Sequence, residues 1–135
     1  MRYDEITEFL HGGDYNAEQW IDRPDILAED IRLMKKAHVN VVTLGVFSWS
    51  MYEPKENEFH FEWLDKIMDD LYANGIYVIL ATPSGGNPPW MIKKYPEIMR
   101  TNADRTRLLY GDRENQCNSN PEVCAKDYHA QTHCY

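Results

Sequence analysis

With 135 residues and 43% apolar side chains, the chain can bury one α/β core and is not disordered throughout. Twenty-two acids against 14 bases leave a formal charge of −8, which argues against nucleic acid and anionic membrane as partners. No charged-then-apolar leader opens the chain and no apolar run approaches about 18 residues. Three cysteines, an odd number, suit a reducing compartment better than a disulfide framework. The expectation is a soluble, cytoplasmic protein.

Taken in chain order, Phe9–Gly13 reads as a short first strand, buried and closed by Gly12–Gly13. Asp14 to Trp20 follows as a polar and aromatic loop. Pro24 opens a helix, where its missing N–H costs nothing. Asp25 and Glu29 at the start of that helix and Lys35 and Lys36 at its end complement the dipole. Leu27, Ile31 and Met34 give it one apolar face. The β-branched run from Val39 to Leu44, stopped by Gly45, is a strand buried on both faces. A second helix runs from about Phe61 to Asn74, with Trp63, Leu64, Ile67, Met68 and Leu71 on one stripe and Gly75 as its stop. Ile76 to Thr82 is a third buried strand, followed by a Pro/Gly loop from Pro83 to Pro89. A short helix is expected over Trp90–Pro96. Thr101 to Asn120 then reads as a long polar loop, of a length that usually serves function or is disordered. Buried strand, helix, buried strand is the pattern of a parallel sheet, and such sheets put their chemistry at the carboxyl ends of the strands.

Those ends place Asp14, Tyr15, Asn16, Phe47, Trp49, Glu53, Thr82 and Trp90 around one face. Indoles and phenols beside carboxylates and an amide suit a sugar, whose C–H faces lie on flat rings while its hydroxyls meet polar groups. Trp49 and Trp90 read equally as plugs of a core or loop. Glu53, followed by Pro54, reads either as a general acid or as a solvated loop carboxylate. No spacing here compels a catalytic pair. Near the end, Cys117, Cys124, His129, His133 and Cys134 form a second constellation. His129 and His133 lie four apart, the spacing of two zinc ligands on one helical face, yet no C-x2-C knuckle or helical pattern accompanies them. The two readings are a small non-catalytic module with a zinc-binding tail and an accidental cluster.

The stretch Gly12–Gly13–Asp14–Tyr15–Asn16–Ala17–Glu18–Gln19–Trp20 resembles the opening motif of the glycoside hydrolase family 42 β-galactosidases, G-G-D-Y-N-P-E-Q-W. The resemblance continues through Asn40–Ser50, Glu53–Pro54, Phe61–Asp65, Thr82–Pro83 and Pro88–Trp90. Lys94–Glu97 and Cys117–Pro121 close it, so that it covers about residues 9 to 122. It implies a (β/α)8 barrel, of which this chain is about the first three β/α units, since some 250 residues are typical of the whole. It also implies an enzyme releasing terminal non-reducing β-D-galactose with retention of configuration.

By the resemblance, the acid/base glutamate follows strand four and the nucleophile lies at strand seven. Both catalytic glutamates then lie beyond this chain, and the fragment by itself is expected to be inactive. Gly111–Cys117 falls where the family carries G-S-R-R-x-Y-C, which makes Arg113 the arginine that binds galactose. Asp112 and Glu114 depart from that pattern and change the local charge. Cys117 matches the first of four cysteines that hold a structural zinc in some members, and no cofactor is required for the reaction. The implied partner is a β-galactoside, with neither nucleic acid nor membrane, and the parent protein is expected to form the homotrimer common in the family. The chain therefore divides into residues 1–122, the N-terminal part of the barrel, and residues 123–135, a non-matching tail expected to be disordered. A shifted reading frame or truncated gene model produces such a break; finding this same terminus in an intact message would refute that hypothesis.

Overall fold

The computed structural model describes residues 6–108 and Ala125. Three strands, β1 (Gly12–Tyr15), β2 (Val41–Leu44) and β3 (Tyr77–Leu80), form one parallel sheet in the order β1-β2-β3. Helix α1 (Pro24–Lys36) connects the first pair. The second pair is joined by a short helix α2 (Trp49–Tyr52) and the longer α3 (Glu62–Ala73). After β3 come α4 (Pro89–Lys94) and a 3-10 turn at Pro96–Ile98.

Side chains alternate across each strand, so the register decides which residues share a face. Tyr15, Leu44 and Leu80 stand in one row, with Val42 and Val78 two residues before on the same face. These residues pack with Leu64, Ile67 and Leu71 of α3, and with the half-buried Leu27, Ile31 and Met34 of α1, in one core. Both helices therefore cover the same face of the sheet. Strands in sequential order with their helices on one side wind as a barrel does; a doubly wound sheet places helices on both faces. The opposite face carries Asp14, Val41, Thr43, Tyr77 and Ile79, and Ile79 is 45% exposed.

The first strand lies later than the apolar pattern suggested. It begins at Gly12, and Phe9 is 89% exposed. The reason lies in Asn40, whose side-chain amide accepts from the His11 N–H (2.7 Å) and donates to the Phe9 carbonyl (2.9 Å). A polar clamp fixes this approach, where sequence reading expected apolar burial. The central strand is buried as expected, whereas β1 and β3 are flanks, exposed or half-buried along their length. Gly75, at φ +75°, ends α3 in the left-handed conformation that a glycine tolerates. The polar segment from Thr101 makes a tight turn in its described part, with Thr101 and Arg107 bridged antiparallel.

Candidate functional site

The loops that leave the carboxyl ends of β2 and β3 are joined to each other. The Ala81 N–H donates to the Leu44 carbonyl (2.8 Å), and the Gly85 N–H to the Val46 carbonyl (3.1 Å). The Phe47 ring lies so close to Gly85 that an added Cβ would meet it at 2.6 Å. Gly45 makes the turn out of β2 at φ +89°, and a side chain there would collide with the Tyr52 hydroxyl. Tyr52 is itself buried and stacked on Trp63 (ring centroids 5.4 Å apart), which anchors the start of this loop to α3.

Glu53 sits at the centre of the junction and is 4% exposed. Its Oε2 accepts from the Trp49 indole N–H (2.9 Å) and its Oε1 from the Asn57 backbone N–H (2.8 Å). Its main-chain carbonyl accepts from the Trp90 indole N–H (2.7 Å). Both carboxylate oxygens are thus committed. Glu53 is neither the free general acid nor the solvated loop carboxylate that the sequence offered as alternatives. Trp49 is fully buried with Met91 and Ile98, a core plug that offers no ring face to a sugar. Trp90 packs half-buried against the same cluster.

The first loop contributes less than expected. Tyr15 points to the helix side of the sheet, where its hydroxyl donates to Asp30 Oδ2 (3.1 Å). Burial, and then the adjacent Asp30 carboxylate, push its pKa upward. Asn16 lines, with Tyr15, Gln19 and Trp20, a cleft of about 470 Å³ between β1 and α1. Neither residue belongs to the junction of the other two loops. Asp14 is exposed on the open face of the sheet, and Thr82 is exposed with its hydroxyl 3.3 Å from Ser84 Oγ. Of the eight residues assigned to this end from sequence, Asp14, Phe47, Thr82 and Trp90 keep a place at its rim. Tyr15, Asn16, Trp49 and Glu53 face a cleft or are packed away. Arg113, Cys117, Cys124, His129, His133 and Cys134 lie outside the described residues.

One link had no sequence signal. Glu56 accepts from the Tyr95 hydroxyl (2.8 Å) and pairs with Lys94, which ties the segment after α2 to α4 from a distance of 39 residues. Only the tertiary approach of the two loops creates it. Among the described residues, no helix is long and apolar enough to cross a membrane.

Comparison with known proteins gives this arrangement its relatives. The glycoside hydrolase family 42 profile, described as β-galactosidase, matches residues 14–133, which carries it past Glu122. The β-galactosidase Pbg of Clostridium perfringens is 60% identical over 116 residues, 86% of this chain and 17% of its own length. The β-galactosidase GalA of Bacillus licheniformis is 57% identical over 108 residues, 80% of this chain and 16% of its own. The chain thus spans about a sixth of the length of these relatives. A structure of Gan42B, a family 42 β-galactosidase from G. stearothermophilus, superposes with a TM-score of 0.87 at 53% identity. It covers 93% of this chain and 18% of its own, and it carries a catalytic glutamate-to-alanine substitution.

Proposed function

The chain belongs to the glycoside hydrolase family 42 β-galactosidases, and from that membership we propose that it supplies the first three β/α units of a cytoplasmic enzyme cleaving terminal β-D-galactose from β-galactosides. The observation that carries the reading is the winding: three parallel strands in sequential order, helices on one face, and carboxyl-end loops joined over a common rim. That rim is where barrel enzymes of this architecture bind substrate.

The reaction constrains which residues can do the chemistry. Retaining hydrolysis needs two carboxyl groups about 5 Å apart, one as acid/base and one as nucleophile. At this end of the sheet Glu53 is occupied by Trp49 and Asn57, and Glu56 by Tyr95 and Lys94. Asp14 stands exposed on the open face of the sheet. By the family resemblance the catalytic glutamates belong to later strands of the barrel, after strand four and at strand seven, and the 135-residue chain alone is expected to be inactive. Phe47, Trp90 and Thr82 form one wall of the sugar pocket, Arg113 binds the galactose, and the whole protein assembles as a trimer. No cofactor enters this chemistry, and a structural zinc held through Cys117 would serve the whole protein's fold.

The test replaces the matching segment of the Clostridium perfringens relative with residues 1–122 of this chain. A folded chimaera is expected to hydrolyse a chromogenic β-galactoside, while the 135-residue chain alone shows no turnover. A chimaera with native circular dichroism and no activity would refute the galactosidase reading. Turnover by the purified chain alone would place a catalytic pair within it.

A further inference from the structure

We infer that Glu53 is a positioning residue, which holds the loop after β3 against the loop after β2 and so fixes the wall of the proposed sugar pocket. The inference rests on the galactosidase reading only for what that wall binds. Three N–H donors from separate places converge on this one residue: the indole of Trp49 in α2, the backbone of Asn57 beyond it, and the indole of Trp90 in α4. Asn57 adopts φ +63°, the left-handed region that asparagine enters more readily than other non-glycine residues, and its N–H is tied to Glu53 Oε1.

Burying a carboxylate is costly even when it is hydrogen-bonded, and an apolar side chain of similar reach often serves stability as well or better. A leucine at position 53 would suit the neighbouring cluster of Trp49, Met91 and Ile98, but it would fix neither the Trp49 indole nor the Asn57 turn. The carboxylate therefore contributes position. Through α2 and its own carbonyl it sets where Trp90 sits, and Trp90 lies in the first turn of the helix that follows the Pro83–Pro89 loop. The Gly85 N–H bonded to Val46 and the Met91 N–H bonded to Pro88 report whether that loop is held.

Amide exchange in Glu53→Leu, Glu53→Gln and Trp90→Phe variants of the full chain separates position from stability. In Glu53→Leu and Trp90→Phe, exchange at Gly85 and Met91 is expected to rise about tenfold, as when a local hydrogen-bonded closure is lost. Exchange at Tyr77 in the central pairing should stay within about twofold, and the urea midpoint should move little. Glu53→Gln, which keeps an acceptor for the indole, should fall between Glu53→Leu and the unchanged chain. Equal acceleration at Tyr77, Gly85 and Met91 would make Glu53 a stability residue only and overturn the proposal. Unchanged exchange at Gly85 and Met91 in both Glu53→Leu and Trp90→Phe would overturn it as well. These outcomes are independent of the chimaera's activity, so failure of the galactosidase reading leaves a distinct record.

Discussion

At the scale of single residues, the structure redirects side chains that the sequence could only place on the chain. Tyr15 sits in the family-like opening motif and reads as a sugar contact, but strand alternation turns it toward α1 and Asp30. Its environment yields a sign that can be worked out. The phenol is neutral when protonated, and burial followed by the Asp30 charge keeps the proton on in the folded state. The folded pKa thus lies above the ordinary value of 10.0, so the folded chain binds more protons than the unfolded one above that pH. The contribution is fully present below pH 10.0 and is lost as pH rises through the folded value. Urea midpoints on either side of pH 10.0 should fall more steeply for the native chain than for Tyr15→Phe. At neutral pH the Tyr15→Phe chain should be weaker by about 1 kcal/mol, the net worth of one hydrogen bond. Equal slopes for the two chains would show that Tyr15 is not perturbed.

Elements were more legible than residues, because periodicity reports burial on a regular lattice. The stripe of Leu64, Ile67 and Leu71 lies against the sheet, and α3 ends at Ala73, before the glycine that stops it. Leu71→Ala should cost about 2–5 kcal/mol, the range for emptying a buried leucine site. Its neighbour Tyr72, 64% exposed, should cost less than about 0.5 kcal/mol when changed to Ala. Paired urea melts of the two variants test the stripe, and similar losses would mean that α3 presents a different face. The elements that escaped were short. Helix α2 spans four residues and the 3-10 turn at Ala17–Trp20 spans four, too few for a period to show. They form because Tyr52 and Ala17 enter the core, a fact of packing and not of propensity.

For the whole molecule, charge and sheet winding have opposite consequences. A net charge of −8 favours solubility, but both flanks of the sheet present apolar ground. A cleft of about 280 Å³ beside β3 is lined by Met68, Tyr72, Ile76 and Val78, and Leu33 and Trp20 line the cleft beside β1. Unpaired strand edges next to apolar surface promote association. Sedimentation of the purified chain should therefore show association that grows with protein concentration and, because the like charges are screened, with salt. A single monomeric species across that range would overturn the prediction. The parallel β/α repeat, the amphipathic helices with their stops, and the family are legible along the chain, since they rest on local periodicity and ordered motifs. That Glu53 is a buried anchor, that Trp49 is core, and that Tyr15 serves α1 emerge from packing alone. Those outcomes depend on which face a strand shows and which loops meet, and contacts between Glu53 and Trp90, 37 residues apart, leave no trace in local pattern.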